Sequence, residues 1–250
     1  MKIRPNRIKQ KLADGGVACI VSGLSDPDGI DAFGPNGFDG VWLEGEHGAA
    51  DASRLGDLTR ACDIWGMTSV VRVNRNDQAL IYRTLDCGAI GICVPHVDTR
   101  EEAQNVVDGG KFAPAGKRGM YTSRQGYGVD NFFAEANDQS LLIVLIEDIE
   151  AIGNLDEILT VDHIDVFFVA PTDLAQSMGH NADTAHPEVQ DTITDALARI
   201  NAAGRVAGCT TNNDQVADYV GRGARVVLTS VGAWLAAGAR DFVARAESAL

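Results

Sequence analysis

Lysine is scarce in this chain of 250 residues. It stands only at positions 2, 9, 11, 111 and 117, and every other basic residue is arginine. A mechanism that needs a lysine amine deep in the fold has few candidates. Cysteine is also sparse. The five residues Cys19, Cys62, Cys87, Cys93 and Cys209 are odd in number and form no C-x-x-C pair. That pattern argues against a disulfide framework or a zinc knuckle, and for reduced, mostly buried thiols in a cytoplasmic protein. No apolar run approaches the roughly 20 residues of a membrane helix; the longest is Leu141 to Ile146. The start, MKIRPNRIKQKL, is basic and polar and lacks the apolar core of a secretory signal. Positive charge is short overall, with 21 Lys and Arg against 35 Asp and Glu and a net charge of −14. Such a surface repels phosphate backbones, so nucleic acid is excluded as a partner, as is a membrane.

Several motifs are missing too. There is no P-loop, no H-E-x-x-H and no G-x-S-x-G, so serine nucleophile chemistry has no support. Gly23 is followed by LSDPDG rather than a G-x-G-x-x-G, which weighs against an open doubly wound sheet.

What is present is alternation. Short β-branched or apolar runs occur near 17–22, 40–44, 68–73, 89–94, 141–147, 164–169, 205–209 and 225–230. Runs of this kind read as strands buried on both faces. Helical patterns lie between them. Leu55, Leu58, Cys62 and Trp65 make one stripe, and Ile149, Ile152, Leu155 and Ile158 another. Thr99 and Glu102 form a capping box before Ala103, Val106 and Val107. Val189, Ile193, Leu197 and Ile200 follow Pro187 at a first-turn position, Val216 and Val220 belong to a short helix, and Trp234 to Leu250 favours helix. Eight βα units in 250 residues predict a single (β/α)8 TIM barrel domain over 1–250. The connection from about 109 to 140, with PAGKRGMYTSRQGYG, is long and suits a functional loop or a subunit contact.

Barrel enzymes carry their chemistry at the C-terminal ends of the strands. Glu147 and Asp173 each follow a buried run on neighbouring strands five and six. Two hard oxygen donors there suit Mg²⁺ or Mn²⁺; the alternative is that one caps a helix and the other is solvated. His47, in Glu44-Gly45-Glu46-His47, suits a general base near neutral pH held by those carboxylates, or is an ordinary loop residue. Arg72 inside VVRV needs an anionic partner. It pairs with a strand-two glutamate or points into the mouth to bind a carboxylate or oxyanion. His96, His163, His180 and His186 show no ligand-like pattern, and His163 and His186 read as structural or exposed.

At these residues the chain resembles the HpcH/HpaI aldolase family of metal-dependent class II pyruvate aldolases. The matching segments are FDGVWLEGEHGAAD, VVRVNRND, LDCGAIGICVPHV, APAGKRG, IEDIEAIGNLDEIL, VFFVAPTDLAQSMG and HPEVQ, from about 35 to 190. The resemblance implies a lyase that reversibly cleaves a 4-hydroxy-2-oxoacid, through a metal-bound enolate, to pyruvate or hydroxypyruvate plus an aldehyde. It implies a divalent cation (Mg²⁺, Mn²⁺ or Co²⁺) on Glu147 and Asp173. His47 falls at the catalytic base position, and Arg72 at the arginine that steadies the enolate oxygen. Asp86 falls at an acid that partners the histidine, within or across a subunit boundary. Ala170, Pro171, Thr172 and Asp173 fall on the segment that holds the pyruvate carboxylate. Glu44, Thr210 and Tyr121 complete the expected substrate contacts, with Arg124 and Tyr127 beside Tyr121 on the long loop. The family further implies a homo-oligomer, dimers exchanging a C-terminal helix and joining as a hexamer, a trimer of dimers. The chain departs from the family at Glu44, where an aspartate is common, at Leu145 for glutamine, in APTDL, and at Thr210-Thr211-Asn212-Asn213. Those departures bear on the aldehyde and the donor. Three rivals remain: a CoA-ester lyase of the citrate-lyase β type, a Schiff-base aldolase, and a non-catalytic barrel module.

Overall fold

The computed structural model describes residues 1–249 of the chain. Eight strands form its centre: β1 (Ala18–Ser22), β2 (Gly40–Glu44), β3 (Thr68–Arg72), β4 (Gly91–Val94), β5 (Leu141–Ile146), β6 (Val166–Val169), β7 (Ala207–Thr210) and β8 (Ala224–Ser230). Each pairs in parallel with the next, and β8 returns to β1, so the sheet is a closed barrel. Parallel neighbours require crossovers, which the helices supply. They are α1 (Arg7–Ala13), α2 (Pro27–Phe33), α3 (Leu55–Ile64), α4 (Gln78–Asp86), α5 (Arg100–Gly110), α6 (Phe132–Gln139), α7 (Ile149–Gly153), α8 (Leu155–Ile158), α9 (Pro171–Ser177), α10 (Pro187–Ala202), α11 (Val216–Gly221) and α12 (Val231–Glu247). The (β/α)8 barrel read from the sequence is the fold.

The period of two along each strand decides what reaches the mouth. Ile20, Trp42, Val70 and Leu145 belong to one core inside the barrel, with Phe168 and Leu228. Val41, Leu43 and Val71 face outward onto helices. Two residues beyond each inward side chain lie Ser22, Glu44, Arg72 and Glu147, at the C-terminal end. Gly208 is required where it stands, because a Cβ there would run into the Phe168 ring, and the β7–β8 register shifts at the same point.

Several local expectations hold. Thr99 and Glu102 form the reciprocal capping box of α5. Val189, Ile193, Leu197 and Ile200 are buried on α10, which opens at Pro187. Others need correction. Trp65 leaves the α3 stripe, ending the helix and bonding Asp31 through its indole N–H at 2.9 Å. The stripe from Ile149 to Ile158 is cut into α7 and α8 at Gly153-Asn154, and Ile149 is exposed. The long connection holds α6, whose Phe132 packs edge-on against Phe112.

The helix α1, before the first strand, lies at the N-terminal end, the floor. Ile8 is fully buried there. Asn6 caps α1 and donates to the carbonyls of Ile90 (2.9 Å) and Gln139 (3.0 Å), tying three segments together. The C-terminal α12 packs on the barrel through its first turn, where Trp234 stacks on Phe33, and is exposed beyond it: none of its residues is buried, and Leu235 and Phe242 are 70% and 74% exposed. No helix among the described residues is long and apolar enough to cross a membrane.

Candidate active site

The β2–β3 register places Glu44 opposite Arg72. Arg72 Nε donates to both carboxylate oxygens of Glu44, at 3.0 and 2.8 Å. Its Nη1 reaches Glu46 at 2.9 Å. The guanidinium is therefore held flat and rigid between two carboxylates, with 15% of its side chain exposed. Burial pulls its pKa down, but the bonds and charges of Glu44 and Glu46 prevail and raise it. Burial pushes the Glu44 carboxyl up, and Arg72 with the amides of Glu46 and His47 overcomes this and lowers it. Of the two partners open for Arg72, the strand-two glutamates are the ones it meets, and it also lines the mouth cavity.

That cavity has a volume of about 210 Å³. Trp42, Leu145 and Phe168 form its base, and Glu44, Arg72, Ala170, Pro171, Thr172, Asp173 and Thr210 ring it. Ala170 is the N-cap of α9 and has no side-chain oxygen to cap it. The first-turn amides of Thr172 and Asp173 are thus left for water or a ligand.

Glu147 is the most constrained anion at the mouth. Its side chain is 1% exposed, and Oε2 has no hydrogen-bond partner. Oε1 accepts the backbone N–H of His96 at 2.9 Å. Burial raises the carboxyl to about 7 despite His96, and Asp173 and Glu46 push it further in that direction. An orphaned carboxylate oxygen, buried beside a second carboxylate, is a costly arrangement unless a cation completes it. Glu147 and Asp173 are hard oxygen donors, so the residues fit a divalent cation.

His96 was not singled out by the sequence. It follows Pro95 in the left-handed region, with φ 50, and this turn aims its amide at Glu147. Its Nδ1 lies 2.8 Å from Asp148 Oδ2. That bond, with the charges of Glu147 and Glu46, raises its pKa against the opposing effect of burial. The available signal was a histidine placed directly after a buried strand end. Glu46 is a second such residue, legible only once its partner Arg72 is known.

The remaining expected residues separate. His47 stands at the mouth, 72% exposed, its Nε2 3.7 Å from Glu46. Asp86 ends α4 at the floor and pairs with Arg118 at 2.7 Å. Arg124 bonds Asp63 and Thr59, and Tyr121 and Tyr127 are exposed on the same connection. Within one chain these floor residues do not meet the mouth. His180 and His186, read as patternless, are brought together with Glu188.

A closed (β/α)8 barrel with a carboxylate pair and a clamped arginine around one mouth cavity has the architecture of a barrel enzyme. The family model for HpcH/HpaI aldolase/citrate lyase matches residues 19–237, and the chain belongs to that family. It is 36% identical over 223 residues to a hydroxypyruvate/pyruvate aldolase of Pseudomonas aeruginosa, covering 87% of this chain and 83% of that one. It is 38% identical over 178 residues to a 2-keto-3-deoxy-L-rhamnonate aldolase of Klebsiella pneumoniae, covering 69% and 66%. Among solved structures, an HpcH/HpaI aldolase/citrate lyase family protein of Burkholderia cenocepacia superposes with TM-score 0.89 at 27% identity, covering 97% of this chain and 99% of that one. The chain is a lyase of the aldolase type.

Proposed function

We propose that the chain reversibly cleaves a 4-hydroxy-2-oxoacid to pyruvate, or hydroxypyruvate, and an aldehyde, using Mg²⁺, Mn²⁺ or Co²⁺. The observation that carries this reading is the bare, buried Oε2 of Glu147, close to Asp173, which lines the same cavity as Arg72. Relatives named for pyruvate and keto-deoxy-sugar-acid cleavage support it.

Glu147 and Asp173 would hold the cation, which supplies Lewis acidity toward the 2-oxoacid. Arg72 stabilises negative charge on the enolate oxygen; Glu44 and Glu46 preset its geometry. The uncapped α9 amides and Thr172 receive the substrate carboxylate. His47 takes the proton of the 4-hydroxyl as the carbon–carbon bond breaks and returns it in the synthetic direction. Thr210 and Glu44 border the remaining space of the cavity, where the aldehyde portion lies.

The placement of the lysines supports the metal route over a Schiff base. Among the described residues, no lysine lies on a strand. Lys9 and Lys11 belong to α1, and Lys111 and Lys117 to the connection between α5 and α6, at the floor. A CoA-ester lyase would need basic contacts for its phosphates, and this mouth gathers Glu44, Glu46, Glu147, Asp148 and Asp173 around one arginine.

The exposed apolar residues of α12 beyond its first turn, Leu235, Phe242 and Val243, support exchange of this helix between subunits of a homodimer, three of which form a hexamer. In that assembly Asp86 and Tyr121 approach the mouth of a neighbour. The single domain spans 1–250, and five free cysteines suit a reducing, cytoplasmic setting.

The test is pyruvate release from a panel of 4-hydroxy-2-oxoacids after EDTA treatment and after adding back each metal. Loss with EDTA and recovery with metal is expected. Cleavage indifferent to EDTA, or trapping of pyruvate by borohydride, would overturn the reading.

A further inference from the structure

After α9 the chain reverses before entering α10. The reversal is tight. The His180 amide donates to Ala175 O at 2.9 Å, the Asp183 amide to His180 O at 2.9 Å, and the His186 amide to Asp183 O at 3.2 Å. Asn181 and Ala182 both take positive φ, 51 and 61. The result is two imidazoles stacked with centroids 3.7 Å apart and planes at 20°. His180 Nε2 lies 2.9 Å from Glu188 Oε2. His186 Nδ1 accepts the Glu188 amide at 3.3 Å, a long bond that an ion on this nitrogen would replace. One donor atom from each of the three residues lies within 4.8 Å of the other two. Around a tetrahedral ion with bonds of about 2.1 Å, donors sit roughly 3.4 Å apart. The Glu188 side chain is 71% exposed and can turn inward, and one imidazole must tilt out of the stack for both in-plane lone pairs to meet a single ion.

We propose that His180, His186 and Glu188 form a second metal site for a borderline divalent ion, with Zn²⁺ the natural occupant. Two imidazole nitrogens and one carboxylate are a zinc-type set, whereas the cation ligands proposed at the mouth, Glu147 and Asp173, are oxygen donors. The two sites therefore select different metals. On binding, the ion displaces the hydrogen shared by His180 Nε2 and Glu188 to solvent, and water fills the fourth position. The site is a brace. Thr184 lies in the reversal and is held by Gln190 Nε2 at its carbonyl, 2.7 Å. Thr184, Thr172 and Thr210 line a side cavity of about 190 Å³ that shares Pro171, Thr172 and Thr210 with the mouth. Fixing this loop fixes one wall of that cavity.

Calorimetric titration of the metal-free full-length chain with Zn²⁺ tests this, alongside Cu²⁺ paramagnetic resonance. An Asp173→Asn variant, weakened at the mouth, should keep one tight Zn²⁺ and a copper signal split by two nitrogens. His180→Gln and, separately, Glu188→Gln should weaken that Zn²⁺ by about 100-fold or more, since loss of a ligand exceeds loss of an outer partner. Their Mn²⁺ affinity at the mouth should match wild type. His186→Gln also removes the cap of α10, so the first two variants carry the test if it folds poorly. Equal Zn²⁺ binding in wild type and His180→Gln would overturn the proposal. So would a copper signal still split by two nitrogens in His180→Gln, which would place the ion on other histidines.

Discussion

The two ends of the barrel treat buried charge in opposite ways. At the floor, Lys111 is 3% exposed, and its ammonium donates to Ser140 O at 2.6 Å and Asn137 O at 2.7 Å, with Asp165 3.8 Å away. Burial lowers it to about 8, against the opposing pull of Asp165, yet its hydrogens have partners within the chain. At the mouth, Glu147 is as deeply buried, but one oxygen is bare and its carboxyl is raised to about 7 by burial. The floor closes a polar latch on itself. The mouth holds an anion whose partner must come from outside. One arrangement is built for stability and the other for a ligand.

Substitutions at the two ends should therefore behave differently. The largest effect is expected from Glu147→Gln. It should cost about 10³-fold or more in kcat, as several kcal/mol of transition-state stabilisation go with the cation. Thermal stability of the metal-free protein should hold or rise; a variant that unfolds instead would place Glu147 with the floor. His47→Ala should slow cleavage by about 10²-fold or more, the ordinary worth of a positioned acid–base group, and unchanged turnover would demote it to a loop residue. Arg72→Lys should lose about 10²-fold in kcat with a smaller change in KM. A point charge cannot bridge Glu44 and Glu46 as the guanidinium does. Near-normal turnover would remove Arg72 from the chemistry. Lys111→Ala should act on stability alone, lowering it by about 2 to 3 kcal/mol in denaturant titration as two buried carbonyls lose their donor, with kcat per folded molecule retained.

Much of this contrast was legible in the sequence because strand periodicity is a local property. Leu145 facing inward puts Glu147 inward, and Val70 does the same for Arg72. The capping box of α5 and the proline start of α10 were equally local. What escaped depends on backbone reversals and distant pairings. The turn that aims the His96 amide at Glu147 rests on a positive φ that no residue pattern announces. Asp86 looks like any helix-end acid until Arg118, 32 positions on, is found against it. The stacking of His180 on His186 needs two left-handed residues between them. The helix α6 stayed hidden because Gly- and Tyr-rich segments precede its short apolar face.

The most direct test of the bare carboxylate is the stability of the metal-free protein as a function of pH, with and without Mn²⁺ and with Glu147→Gln as control. Glu147 is raised from 4.5 to about 7, so its protonated form contributes stability fully below about 4.5. That contribution is lost as pH rises through about 7, by up to about 3 kcal/mol. This loss is expected in the metal-free wild type, with its reversal by Mn²⁺ above pH 7, and neither effect is expected in Glu147→Gln. Matching profiles for wild type and Glu147→Gln, with Mn²⁺ stabilising both alike, would contradict it.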